Sequence, residues 1–182
     1  NVIQFVTIAT TGDASDFGDV STSISRASAT GSSTRMLIAG GSTPTVINTI
    51  QFVTIATTGN PTDFGDLSAA RMAMGRASNG VRGVFAGGYT PSLVNIIEFV
   101  TIATTGNTTD FGDFSTAKSS MGSANNSIIG IFQGGATPSR STTIQSITIA
   151  TTGDAVEYGD CNITDPLFGR EGCSDSHGGL TE

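Results

Sequence analysis

Short runs of apolar residues alternate with turn residues along this chain, and residues 71–114 show the pattern most clearly. The pair Asn79-Gly80 is typical of a tight hairpin turn. Gly87-Gly88 ends the apolar run that follows, and the next run is rich in the β-branched and aromatic residues favoured in strands. The pattern predicts four short strands, at Arg71–Asn79, Arg82–Ala86, Asn95–Thr104 and Thr109–Phe114.

The third of these runs is apolar on both faces. Ile97 and Phe99 point one way, and Val100 and Ile102 point the other, because side chains alternate along a strand. A sheet with one face in water would show a cleaner alternation of apolar and polar residues. We therefore expect each sheet to pack between two neighbouring sheets.

One segment also fits a helix, because Leu67, Ala70 and Met74 have helical spacing. The equivalent segments at residues 20–25 and 114–119 are rich in Ser and Thr, which are weak helix formers. Equivalent repeats should share one conformation. The sequence therefore predicts strand across Leu67–Met74 and essentially no helix.

The whole pattern returns with a period of 47 residues, which marks a solenoid, a propeller or an array. One eight-residue phrase, FVTIATTG, occurs three times letter for letter, and a worn copy follows it. These copies lie at Phe5–Gly12, Phe52–Gly59, Phe99–Gly106 and Ile147–Gly153. Paired glycines keep the same step, at Gly40-Gly41, Gly87-Gly88 and Gly134-Gly135.

Charge and composition exclude several classes of function. The chain has 8 basic and 15 acidic residues, a formal net charge of -7, and one lysine, Lys118. Nucleic-acid binding needs clustered Lys and Arg, and these arginines are scattered, so no nucleic-acid partner is expected. No apolar run approaches the ~18 residues of a membrane span. The abundance of Ser, Thr and Gly is typical of extracellular and virion-surface β proteins.

The order of these parts resembles the kelch repeat, in which a strand ending in Gly-Gly precedes two aromatics and a basic residue. Phe stands where kelch usually has Trp, and Ile24 replaces the basic residue of the first unit. The resemblance implies an all-β, kelch-like β-propeller or propeller fragment with four-stranded antiparallel blades of 47 residues. The matching residues of two consecutive units are Gly40-Gly41, Phe52, Phe64 and Arg71, then Gly87-Gly88, Phe99, Phe111 and Lys118.

The phrases FVTIATTG, DFGDL and GVFAGG, with a closing CSDSHGGL, are similar to repeat proteins of tailed phages, including those that infect cyanobacteria. This resemblance implies a virion-associated structural or fibre-like protein located on the virion or outside the cell. Its partners would be other virion proteins or copies of itself, and a host-surface glycan or protein.

The repeats divide the chain into residues 1–160, with three complete units and partial ends, and residues 161–182, an atypical closing segment of the same domain. Joining the ends gives a four-bladed ring with a defective blade, and the alternative is part of a larger ring. The start at Asn1 favours the partial ring. Phe5, Val6 and Ile8 lack a preceding Gly-Gly strand, so we expect upstream blades or a partner to complete the sheet.

Most candidate sites have a structural explanation. The recurring carboxylates Asp16, Asp63 and Asp110 could bind Ca²⁺, but recurrence in every unit favours a structural role, with Asp accepting backbone N–H groups in a turn. We predict no metal site and no cofactor. The six paired glycines, Gly40, Gly41, Gly87, Gly88, Gly134 and Gly135, are expected to allow backbone angles or close approach that a side chain would forbid.

The cysteines and the single histidine lie near the end of the chain. A disulfide between Cys161 and Cys173 is expected to pin this segment, and two free thiols or a zinc site with His177 are the alternatives. Asp175, Ser176 and His177 are consecutive and cannot face one another as a catalytic triad on an extended segment, so we predict no enzymatic activity.

Binding residues are expected where the repeats differ. The loops with a constant Thr-Pro core vary at Ser42, Tyr89 and Ala136, and loops on a rigid scaffold commonly carry binding residues. The sequence thus predicts a non-enzymatic module of a phage particle, either a tail-fibre or tail-associated host-binding module or a capsid or tail decoration. The predicted binding residues are Tyr89 and Arg140 in the Thr-Pro loops, with Arg35 and Arg82 at the first hairpins.

Overall fold

The computed structural model describes residues 1–162, and within them the protein is all-β, with no helix. Cys173 and His177, and therefore the predicted disulfide, lie outside the described residues. The strands are β1 (Val2–Phe5), β2 (Ser15–Asp19), β3 (Ser28–Gly31), β4 (Arg35–Ala39), β5 (Ser42–Thr43), β6 (Thr45–Val46), β7 (Thr49–Thr54), β8 (Thr62–Asp66), β9 (Gly75–Ser78), β10 (Arg82–Ala86), β11 (Ile96–Thr101), β12 (Thr109–Asp113), β13 (Gly122–Asn125), β14 (Ile129–Gln133), β15 (Thr143–Thr148) and β16 (Val156–Asp160).

Three antiparallel sheets of four strands follow one another along the chain. Sheet 1 has the order β3-β4-β7-β8, sheet 2 is formed by β9 to β12, and sheet 3 by β13 to β16, each in sequence order. Strands β1 and β2 form an N-terminal half-sheet, and β5 and β6 form a small hairpin. The prediction of four antiparallel strands in each 47-residue unit is confirmed.

The segment Leu67–Met74 is neither helix nor strand, so the prediction of continuous strand was wrong. It contains one isolated bridge, from Met72 to Tyr89, and the first strand of sheet 2 begins only at Gly75. Ala73 has a positive φ of 54°, which interrupts both a helix and a strand. The equivalent residues Arg26 and Ser120 share this conformation, with φ of 56° and 53°.

The recurring Asp-Phe-Gly triplet lies in the outer strand of each sheet, and the turn expected there was wrong. In sheet 2, Glu98 pairs with Asp110 and Ile97 pairs with Gly112, so Phe111 is the extra residue of a β-bulge. The ring of Phe111 is buried and makes an edge-to-face contact with Phe99, with ring centroids 6.0 Å apart. The bulge therefore directs an aromatic ring into the core.

Two hydrophobic cores lie between successive sheets. Phe85 and Val100 of sheet 2 pack with Leu37 and Ile50 of sheet 1. The opposite face of sheet 2 packs against sheet 3 in a second cluster, which includes Ile97. Sheet 2 is therefore apolar on both faces because both faces are covered by neighbouring sheets.

The first strands of the three sheets, β3, β9 and β13, lie side by side. Thr30 donates its hydroxyl to the carbonyl of Ala77 at 3.2 Å, and the amide of Asn125 donates to the carbonyl of Ser78 at 2.5 Å. Each bond joins residues 47 positions apart. The sheets are therefore stacked around a line that their first strands share.

A loop from each unit forms hydrogen bonds with the outer strand of the preceding sheet. The N–H of Gly106 donates to the carbonyl of Phe64 at 2.7 Å, and the side-chain oxygen of Asn107 accepts from the N–H of Asp66 at 3.0 Å. A Cβ on Gly65, whose φ is +145°, would lie 2.3 Å from the carbonyl oxygen of Gly106. Only glycine fits this contact, which accounts for the strict period of the glycine in Asp-Phe-Gly.

Across residues 1–162, the structure includes no helix with the length and apolar character needed to cross a membrane.

Candidate functional site

The variable Thr-Pro loops occupy equivalent places between the second and third strands of the three sheets. Ser42 lies in the β5-β6 hairpin and bridges to Ser25. Tyr89 bridges to Met72 and Leu93, and the loop of sheet 3 bridges through Ala136 in the same way. Each loop is thus held by the segment that precedes the first strand of its sheet.

Tyr89 is 39% exposed, while its N–H and carbonyl are both bonded to Met72. The backbone is therefore fixed and the phenol ring remains accessible. Arg140 is also exposed and belongs to the loop of sheet 3. These two predicted binding residues lie at equivalent ends of neighbouring sheets.

Arg35 and Arg82 are not brought together with these loops. Each arginine begins the second strand of its sheet, and the Thr-Pro loop follows the other end of that strand. Arg35 stacks on the Phe52 ring with its guanidinium carbon 4.7 Å from the centroid, and it donates to the carbonyls of Ile102 and Ala103 at 3.0 and 2.9 Å.

Arg82 makes the equivalent contacts one unit later. Its guanidinium lies 4.3 Å from the centroid of Phe99 and donates to the carbonyl of Ile149 at 3.2 Å. These contacts link each sheet to the next and give both arginines a structural role. Their role in binding stays a prediction.

The pairs Gly40-Gly41 and Gly87-Gly88 lie where the backbones of successive units touch, whereas the nearest described atoms to a Cβ on Gly134 or Gly135 would belong to its own unit, to Ser141 and Ser119 respectively. Gly87 has a φ of +61°, and a Cβ added to it would lie 2.4 Å from the carbonyl oxygen of Lys118. The N–H of Gly88 donates to the same oxygen at 2.9 Å. In the equivalent place one unit earlier, a Cβ added to Gly40 would lie 2.2 Å from the carbonyl oxygen of Arg71.

The recurring Asp16, Asp63 and Asp110 are exposed on the outer strands. Among residues 1–162, no three side chains from His, Cys, Asp and Glu are grouped so that they could hold a metal ion. Cys161 follows the last strand, with its sulfur 3.9 Å from the side-chain oxygen of Gln133.

The most unusual electrostatic feature is a buried charge pair in sheet 2. Arg71 and Glu98 are 0% and 2% exposed, and Arg71 Nη2 lies 2.8 Å from Glu98 Oε1. Arg71 also donates to the carbonyls of Gly87 and Ile96 at 3.0 and 3.1 Å. Burial lowers the pKa of Arg71, and the neighbouring Glu98 carboxylate opposes that effect.

The Glu98 carboxylate is well supplied with donors. It accepts a hydrogen bond from the hydroxyl of Thr108 at 2.5 Å, from the N–H of Ser68 at 3.2 Å and from the hydroxyl of Ser68. A buried ion pair is tolerated when its remaining polar atoms are satisfied in this manner. The carboxylate of this pair is therefore compensated, whereas Arg71 Nε is buried without a hydrogen-bond partner among the described residues.

Sheet 3 has the same cation position without the carboxylate. Lys118 is equivalent to Arg71, and Gln145 is equivalent to Glu98. Gln145 keeps the local bond, donating to the Ser115 hydroxyl at 2.7 Å, but it carries no charge. In sheet 1 both positions are neutral, with Ile24 and Gln51.

Lys118 is 1% exposed, and its ammonium lies 4.4 Å from the centroid of the Phe114 ring. Within residues 1–162 no carboxylate pairs with it. Burial lowers its pKa from 10.5 to about 8. Among the described residues, an aromatic face alone partly compensates this buried amine of sheet 3.

Lys118 is one of the residues that line a cleft of about 250 Å³. Arg140 also lines it, so two of the cleft's residues are cations. The other described lining residues are Gln145 and seven hydroxyl side chains from the loop and strand of sheet 3 and from the segment before it: Ser115, Thr116, Thr137, Ser139, Ser141, Thr142 and Thr143. Hydroxyls and cations together favour a hydroxylated or anionic ligand.

Sequence reasoning predicted Arg140 but assigned Lys118 only to the basic position of the repeat. The signal that identifies Lys118 is present in the sequence, since Gln145 replaces Glu98 one period later while Lys118 keeps the positive charge of Arg71. Its meaning depends on burial, which the sequence does not display.

A second, larger cleft of about 650 Å³ lies along the three first strands. Most of its described lining residues have polar side chains, including Thr30, Ser78, Ser123 and Asn125, with Arg76 as a cation. Because each sheet contributes to it, this cleft belongs to the shared line around which the sheets are stacked.

In comparisons with known proteins, no family model matches the chain, and no curated protein is similar to it.

Proposed function

We propose that the sheets are blades of a kelch-like β-propeller or propeller segment, and that the protein is a non-enzymatic adhesive module of a phage particle. In this proposal it belongs to a tail fibre or tail-associated structure and binds the host surface. The neighbouring positions of β3, β9 and β13 support the radial arrangement, since the first strands of propeller blades line the axis.

One observation carries the adhesive role: the framework of the repeats is nearly constant, and the side chains of the Thr-Pro loops change. Tyr89 is the most prominent of these changes, an exposed aromatic side chain on a backbone fixed by hydrogen bonds to Met72. Aromatic rings with a polar end are common in binding surfaces. Several weak loop contacts would act together through avidity.

The test compares Tyr89→Ala with Tyr158→Ala in a glycan array and a host-cell adsorption assay. Tyr158 is a matched control, because it is 63% exposed and lies on β16 rather than in a Thr-Pro loop. We expect Tyr89→Ala to reduce binding and Tyr158→Ala to preserve it. If the parent chain binds nothing and particles lacking it adsorb normally, the adhesive function is wrong.

A decoration protein with a purely structural assembly role is the second candidate. It is favoured by apolar side chains left exposed on the N-terminal half-sheet and the loop after it, where Val2 is 61% and Ile8 is 98% exposed. Such surfaces suit contacts with other virion proteins or with copies of the same chain. Normal adsorption combined with loss of particle integrity in its absence would favour this candidate.

A further inference from the structure

Sheets 2 and 3 each bury a cation, but they differ in the residue that faces it. Arg71 is matched by Glu98, whereas Lys118 is equally buried and faces the neutral Gln145. Burying a charge is unfavourable unless an opposite charge or several hydrogen bonds compensate it. The carboxylate that completes sheet 2 is therefore missing from the described part of sheet 3.

The cleft next to Lys118 is suited to supply that carboxylate from outside. Among residues 1–162 it is lined by Lys118, Arg140, Gln145 and hydroxyl side chains, and none of the described lining residues is acidic. The carboxylate of Asp160 on β16 accepts a hydrogen bond from the hydroxyl of the cleft residue Thr142 at 3.3 Å. Positive charge and hydroxyl groups thus meet in an open space of about 250 Å³.

We propose that this cleft binds the carboxylate of a small hydroxylated acid, such as a uronic acid, with Lys118 as the buried counter-charge and the surrounding Ser and Thr side chains bonding to its hydroxyl groups. The net charge of -7 disfavours a polyanion, so the ligand carries a single negative charge on an otherwise neutral body. A lysine ammonium is a compact point charge that suits one carboxylate oxygen.

Lys118 is the only lysine of the chain, so ¹³C-lysine labelling of the full chain gives a single side-chain resonance to follow by NMR. Titration with galacturonate is expected to shift this resonance and to raise the pKa of Lys118 above its free value of about 8. Galactose, which is the uncharged counterpart of galacturonate, is expected to leave the resonance and the pKa of Lys118 unchanged. Inorganic phosphate is expected to bind more weakly than galacturonate.

The deciding variant is Gln145→Glu, which copies the pair of sheet 2 into sheet 3. It supplies the carboxylate internally, so galacturonate affinity should fall by about tenfold or more while the fold is kept. Lys118→Met should abolish binding. If Gln145→Glu binds as tightly as the parent chain, or if galactose and galacturonate bind equally, the proposal is wrong.

A further arm tests whether a carboxylate of the chain itself takes the place of the ligand. Residues 163–182 contain Asp165, Glu171, Asp175 and Glu182, and all four are changed to the corresponding amides. Binding of galacturonate by the parent chain supports an external ligand. If galacturonate binds the amide variant but not the parent chain, the site is occupied by a carboxylate of the chain itself and the proposal of an external ligand is wrong. These measurements use purified protein, so their outcome is independent of any test of attachment to cells.

Discussion

At the scale of single residues, close backbone contacts and buried charges set the tolerance to substitution. Gly65 and Gly159 occupy the same repeat position and have φ of +145° and +151°. A Cβ on Gly65 would lie 2.3 Å from the Gly106 carbonyl oxygen, while no described atom lies within 4 Å of one on Gly159. Comparing substitutions at these two glycines therefore separates the effect of the close backbone contact from the effect of the backbone conformation.

Gly65→Ala is therefore expected to destabilise the protein by about 3 kcal/mol or more, because the loop of the next unit must move away. Gly159→Ala should lower the free energy of unfolding only through the unfavourable φ of the alanine, on the order of 1 kcal/mol. Urea unfolding of both variants measures the difference. Equal losses of stability would contradict a role for the close contact.

Glu98→Gln should be strongly destabilising, by about 3–5 kcal/mol, since it leaves Arg71 buried without its carboxylate. The double change Arg71→Ile with Glu98→Gln recreates the neutral pair Ile24 and Gln51 of sheet 1. It should recover much of the loss. A double variant less stable than Glu98→Gln alone would show that the pair stabilises the fold through packing rather than charge compensation.

Lys118 should make stability depend on pH in alkaline solution. Its folded pKa of about 8 lies below the ordinary 10.5, so between these values the unfolded chain binds more protons than the folded one. The free energy of unfolding should therefore rise from pH 8 to 10.5, by about 3 kcal/mol in total.

Denaturant unfolding across this pH window measures the effect, with Lys118→Met as the control. The variant should lack the rise. Parallel curves for the two proteins would exclude Lys118 as the source.

At the scale of elements, the side chain after each Thr-Thr-Gly phrase stabilises the outer strand of the preceding sheet. Asn107 accepts from the N–H of Asp66 at 3.0 Å, so Asn107→Ala should cost about 1 kcal/mol. Asp13 holds the same repeat position, but among residues 1–162 no outer strand precedes its loop, so in this chain Asp13→Ala should be nearly neutral. Thermal unfolding compares the two, and an equal effect would contradict the proposed contact.

The strand pattern could be predicted because it depends on local composition. Asn79-Gly80 and Gly87-Gly88 mark the ends of β10, and Ile97 with Val100 indicates two covered faces. The left-handed Ala73 was not predictable, since an alanine gives no local reason for a positive φ.

The bulge at Phe111 and the burial of Lys118 also escaped prediction. The bulge depends on the register between β11 and β12. The significance of Lys118 beside Gln145 appears only when both side chains are known to be buried. Only the repeat period places these two residues in correspondence with the charge pair of sheet 2.

At the scale of the whole molecule, the N-terminal half-sheet is incomplete. It has two strands where each full sheet has four, and Phe5, Val6 and Ile8 are 42%, 57% and 98% exposed. Unpaired strand edges and exposed apolar groups recruit other chains. Residues 1–182 alone should therefore associate rather than remain a monodisperse monomer.

Light scattering over a range of concentrations tests this expectation. Changing Val6 and Ile8 to Lys should reduce association, whereas Val81→Lys should not, because Val81 is 64% exposed in a hairpin away from the half-sheet. A monomer at all concentrations that unfolds cooperatively would show that the half-sheet needs no partner.

The hydrogen-bonded contact between each loop and the outer strand of the preceding sheet recurs with the same geometry. The Gly59, Gly106 and Gly153 N–H groups all donate to a phenylalanine carbonyl at 2.7 Å. A gene that gains or loses one whole repeat, by unequal exchange between its near-identical stretches, would encode a junction chemically equal to the existing ones. The length of the array is thus open to heritable change without compensating mutations, and each added unit brings one more loop on which selection can act.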